Sequence, residues 1–129
     1  MHKHGLMAFL SCWILLLCHA ATAQEGHPFN GTWRGEISSA AAGPTPVVII
    51  MNYNGDTITG MINPGRNSYP FKSAVHDAPN WRITVNAENR QAETITFNGV
   101  MDDIGSRNRR IDGTWHQNDS DYTFHIARE

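Results

Sequence analysis

Trp81-Arg82-Ile83-Thr84-Val85-Asn86-Ala87 is followed, after a short polar break, by Glu93-Thr94-Ile95-Thr96-Phe97-Asn98-Gly99-Val100-Met101. In both segments apolar and polar residues alternate with a period of two. Trp81, Ile83, Val85, Ile95, Phe97 and Met101 fall on one side; Arg82, Thr84, Asn86, Thr94, Thr96 and Asn98 fall on the other. That period belongs to half-buried β-strands, since successive side chains of a strand point to opposite faces. A helix would repeat its apolar positions at three and four.

The same pattern extends in both directions from this pair. Six more strands are read at Gly31–Ser38, Pro46–Asn52, Asp56–Ile62, Tyr69–Val75, Arg110–His116 and Tyr122–Arg128. The breaks are turn formers: Asn54-Gly55, suited to a type I′ hairpin, Asn63-Pro64-Gly65, Asp77-Ala78-Pro79-Asn80 and Asn118-Asp119-Ser120. Short connections imply antiparallel neighbours. Eight such strands can close on themselves and leave no edge, so the expected fold is all-β: an eight-stranded antiparallel up-and-down β-barrel.

Four strands share an apolar–polar–Gly–x–apolar pattern, at Gly31, Gly60, Gly99 and Gly113. Glycine weakens a strand, so its recurrence points to bends or close backbone approach. Alternation assigns Trp33, Ile37, Ile49, Met51, Ile58, Ile62, Tyr69, Phe71 and Val75 to the interior. Trp81, Ile83, Val85, Ile95, Phe97, Met101, Ile111, Trp115, Tyr122, Phe124 and Ile126 complete the set. The second strand is apolar on both faces, with Val48 and Ile50 outward, which suggests cover by a loop or another subunit.

The first residues read differently. Lys3 begins a short positive region, Leu6–Cys18 is mostly apolar, and Ala21-Thr22-Ala23 is a small-x-small site. This is the order of a secretory signal peptide over residues 1–23, with an apolar core too short to span a membrane. The expected mature chain, residues 24–129, is a single domain, secreted or periplasmic. Cys12 and Cys18 are the only cysteines and both precede it, which excludes a disulfide, a cysteine nucleophile and a thiolate metal site there.

Nine basic residues stand against twelve acidic ones after residue 23, a charge of −3 with histidine neutral. A mildly acidic domain without a basic stripe argues against a nucleic-acid partner. Arg107, Arg109 and Arg110 form the one basic cluster, and the flanking Asp102, Asp103 and Asp112 suggest a locally neutralised loop. No G-x-S-x-G, P-loop or H-E-x-x-H motif is present. His76-Asp77 would point to opposite faces of a strand. His116 and His125 are expected opposite each other on the outer face of the last hairpin, where surface histidines are read in preference to a metal pair. The expectation is therefore a protein that is not an enzyme, with no cofactor and no metal.

Gly31-Thr32-Trp33 opens the first strand and Ile126-Ala127-Arg128 ends the last. This resembles the calycin-type barrels: lipocalins, fatty-acid-binding proteins and avidins. The resemblance implies that Arg128 packs against Trp33 at the closed end. The resemblance carries over the fold class and no ligand; the apolar inward residues are what point to a binding module for a small apolar ligand. The ligand-binding residues expected at an open mouth are Tyr69, Phe71, Trp81 and Trp115, with residues 39–45 as a lid. The alternative is a filled barrel that binds a protein partner, as small inhibitor barrels do.

Overall fold

The eight strands form at Gly31–Ser38 (β1), Thr45–Asn54 (β2), Thr57–Ile62 (β3), Tyr69–Asp77 (β4), Arg82–Glu88 (β5), Thr94–Asp102 (β6), Arg110–Gln117 (β7) and Ser120–Arg128 (β8). A single 3-10 turn, Ala78–Asn80, joins β4 to β5. The computed structural model describes residues 26–129. The expected signal peptide, with its cleavage point and both cysteines, lies outside the described residues.

Each strand pairs antiparallel with the next, and β8 returns to β1 to close the barrel. At the closing seam Trp33 faces Arg128, Gly35 faces Ile126 and Ile37 faces Phe124. Among the described residues, no helix is long and apolar enough to cross a membrane.

Side chains from both halves meet in the interior. Phe97 stacks on Trp115 with ring centroids 5.7 Å apart. Phe124 meets Phe97 at 5.2 Å and Trp115 at 5.9 Å, and Phe71 reaches Phe97 at 6.1 Å. An eight-stranded barrel is just wide enough for such rings to meet across it. Room for Phe124 comes from Gly99, which faces Gly113 across β6 and β7. A methyl group on Gly99 would lie 2.8 Å from Cζ of Phe124, and one on Gly113 would strike the Asn98 carbonyl.

Four expectations need correction. Val75 is 67% exposed, not interior. Lys72 is an extra residue in β4: Phe71 faces Ala87 but Ser73 faces Asn86. Such a β-bulge reverses the alternation beyond it, so Ala74 and His76 turn inward and Val75 outward. Trp81 is not on β5. It follows the 3-10 turn in a left-handed conformation, φ +51°, and is half-buried. Phe29, Val47 and Ala87 are buried although not assigned to the interior, whereas Phe71 and Tyr122 are half-buried. Finally, Asn54 faces Thr57, so the β2–β3 turn is centred on Gly55-Asp56. Of these two only Gly55 takes positive φ, +73°, the type II′ arrangement. The positive φ values of Asn118 and Asp119, +51° and +60°, instead make the β7–β8 turn the type I′ one.

Candidate functional site

The barrel has two unlike ends. At one, β1 begins and β8 finishes, and residues 26–30 lie across the opening. Phe29 is fully buried there, and its carbonyl accepts a hydrogen bond from Trp33 Nε1 at 2.9 Å. The Asn30 side chain accepts one from the Tyr53 backbone amide. These two bonds tie the segment to β1 and β2.

The tie brings aromatic and imidazole rings together. His27 stacks on Tyr53 at 4.0 Å, and His76 meets His27 edge-on at 5.2 Å and Phe29 at 5.0 Å. Trp81 packs beside His76 and Phe29, at 6.1 Å from each. Nε2 of His76 is shielded from solvent with no hydrogen-bond partner among the described residues. Burial, then the neighbouring His76 and the Arg109 guanidinium, hold the His27 imidazolium below its ordinary range. The alternation pattern hid this cluster, because only the Lys72 bulge turns His76 inward.

Beside the rings lies a cleft of about 450 Å³ walled by Gly26, Gly105, Ser106, Arg107, Arg109 and Arg128. The loop between β6 and β7 positions two of the three arginines. Arg109 Nε donates to the Ile104 carbonyl at 2.6 Å, and Ile104 packs on the core. The Arg109 carbonyl in turn accepts from the Arg128 amide at 3.0 Å, so the two side chains start from neighbouring backbone. Arg128 runs over Gly31, where an added methyl group would lie 2.9 Å from its Nε.

The structure therefore divides the basic cluster that seemed neutralised in sequence. Arg110 pairs with Asp103 at 3.3 Å, Asp112 turns instead to His125 at 2.6 Å, and Arg34 pairs with Glu129. Among the described residues, no carboxylate lies within ion-pair distance of Arg107, Arg109 or Arg128.

The expected mouth residues do not all converge: Phe71 and Trp115 share Phe97 as a neighbour, but Trp81 does not join them. Tyr69 and Phe71 begin β4 near the far end, and Trp115 is buried at the centre against Phe97, its Nε1 donating to Gln117 at 3.0 Å. Trp81 belongs to the opposite end with His27 and His76. The 39–45 loop is held by a bond from the Ser39 amide to the Ala42 carbonyl, 3.0 Å, and borders a rim cleft with Tyr122 and Thr123. Trp33 and Arg128 do sit opposite each other in register, but the Arg128 side chain continues over Gly31 into the arginine cleft.

His116 and His125 are not partners across the last hairpin. The two-residue turn sets His116 against Asp121 and Asp112 against His125, with side-chain contacts of 2.7 and 2.6 Å. Each ring nitrogen that faces a carboxylate is thereby occupied. No protein-family model and no curated protein matches this chain, so its chemistry is read from this geometry.

Proposed function

We propose that this chain is an exported, non-enzymatic interaction module, a barrel filled by its own side chains that meets a protein partner on its outer surface. The observation that carries this reading is the packing of Phe97, Trp115 and Phe124 against one another across the interior, each no more than 1% exposed. A pocket for an apolar ligand needs space where those rings meet. Export rests on the signal-like order of residues 1–23.

The outer face offers a contact surface. Thr32, Ile50, Met61 and Pro70 stand in one register row across β1 to β4. Ile50 is 38% exposed, Pro70 is exposed, and Val48 is half-buried in the adjacent row. Ile50, Met61 and Pro70 are contiguous in this row, and a contiguous apolar stretch on an outer face supports an interaction site.

The test has two arms. Native mass spectrometry of the purified protein is expected to show no retained small molecule. A Met61→Cys variant, which carries the only thiol once residues 1–23 are removed, is labelled with a photo-crosslinker and exposed to secreted or periplasmic proteins. It is expected to capture one partner that an equivalent Thr94→Cys probe does not. A barrel that retains an apolar ligand, with no site-dependent capture, overturns the reading and returns the apolar-ligand function.

A further inference from the structure

We propose that the arginine cleft at the terminal end of the barrel is a binding site for a phosphate-type oxyanion. The site is independent of the protein-partner reading and uses none of the residues of the outer apolar row.

Three features carry the inference. First, Arg107, Arg109 and Arg128 line one cleft, and no described carboxylate lies within ion-pair distance of them. Like charges gathered without a counter-ion repel one another, and an anion between them removes that repulsion. The neighbouring cations are treated differently by the fold: Arg34 and Arg110 each have an acidic partner. Second, two of the three side chains, Arg109 and Arg128, are pre-positioned. The bond from Arg109 Nε to Ile104 fixes the plane of that guanidinium, and Arg128 is laid along Gly31, so little ordering remains to be done on binding. Third, the remaining walls include Gly26 and Gly105, which present backbone without side-chain bulk.

The chemistry selects the class of ligand. A carboxylate carries one negative charge and two oxygens, which one guanidinium satisfies in a fork-to-fork pair. Three guanidiniums around one cleft are matched by a group with several oxygens and up to two negative charges, which is the phosphate pattern. The cleft volume, about 450 Å³, lies within the range of small-molecule sites. The phosphate is therefore expected as part of a larger molecule. A phosphorylated metabolite and a phospholipid headgroup present the same group.

Titration calorimetry with inorganic phosphate and pyrophosphate at physiological salt tests the site, with pyrophosphate expected to bind the more tightly. Arg107→Gln and Arg128→Gln should each weaken pyrophosphate by roughly tenfold or more, the loss of one charge-assisted hydrogen bond. Arg66→Gln, in the cleft at the far end, should leave binding unchanged. Amide shifts on titration should centre on Gly26, Gly105 and Ser106. In a second arm, co-sedimentation with phosphatidylcholine vesicles containing phosphatidic acid distinguishes a headgroup from a free phosphate; in either case the arginine variants must weaken the binding. Circular dichroism melting confirms that the variants are folded. The proposal is overturned if pyrophosphate does not bind, or if Arg66→Gln weakens it as much as Arg107→Gln does. It is also overturned if binding appears only in a Glu25→Gln variant, which would give the cleft to the chain's own carboxylate.

Discussion

His76 meets His27 edge to face at 5.2 Å, a contact between β4 and the segment that precedes β1. A proton on His27 is unwelcome, because burial, His76 and Arg109 all act against charge there. The unfolded chain protonates His27 around its ordinary value of 6.5, while the folded protein resists until a lower pH. Above 6.5 both states hold His27 neutral and it adds no pH dependence. As pH falls from 6.5 toward the depressed value, the unfolded state gains protons first and the barrel loses stability. Denaturant unfolding of the protein and of His27→Gln should give parallel pH profiles above 6.5. Below it the parent should fall more steeply. Equal slopes throughout would remove His27 from the account.

Gly113 and Gly99 provide a second test, this time of packing. A methyl group on Gly113 meets backbone, the Asn98 carbonyl and the Gly99 Cα, which cannot swing aside as a side-chain end can. Gly113→Ala should destabilise by about 1 to 3 kcal/mol, the usual range for overpacking. Gly105→Ala, where nothing lies within 4 Å, should shift the melting temperature far less.

The barrel was legible in the sequence because its evidence is local. Alternation in β5 and β6 and turn residues every ten or so positions are sufficient for strand number, and short connections are sufficient for antiparallel order. The site was not legible, for three physical reasons. Lys72 inserts one residue into β4, and nothing in Phe71-Lys72-Ser73 marks it, so alternation places Val75 inside and gives no sign that His76 turns inward. Residues 26–30 obey no periodicity, because Phe29 is buried by crossing the barrel end and not by lying in a strand. The arginine cluster has acids near it in sequence, but of these only Asp103 pairs with it, through Arg110. Which acid pairs with which base was decided by the register between β7 and β8, which turns Asp112 toward His125. Asn118-Asp119 was the usable signal: a two-residue turn there sets His116 against Asp121 and His125 against Asp112.

Trp33 and Arg128 face each other in register, yet their substitutions should separate cleanly. Trp33 is fully buried and hydrogen-bonded to the Phe29 carbonyl; Trp33→Ala should cost about 3 to 5 kcal/mol and loosen residues 26–30. Arg128→Ala removes a half-buried cation that lies over Gly31. Thermal unfolding should change much less in that variant than in Trp33→Ala, while phosphate binding weakens. Similar losses of stability in both would mean that Arg128 is chiefly a packing residue.

The last prediction concerns the filled interior. Phe97 touches Phe71, Trp115 and Phe124, so no other single ring joins as many of the central groups. Phe97→Ala leaves an apolar void that the barrel wall cannot readily collapse into, since closed hydrogen-bonded strands fix its circumference. The expected cost is about 3 to 5 kcal/mol, the transfer of the ring plus the cavity that remains. Apolar cavities stay dry and admit small apolar guests, so the variant should bind benzene or xenon and regain part of its lost stability when either is present. The parent protein, with rings already in that space, should bind neither. Melting curves with and without benzene, read alongside tryptophan fluorescence, measure both effects. Stabilisation of the parent by benzene to the same degree as the variant would show that the barrel already holds a cavity, and would favour an apolar ligand over a protein partner.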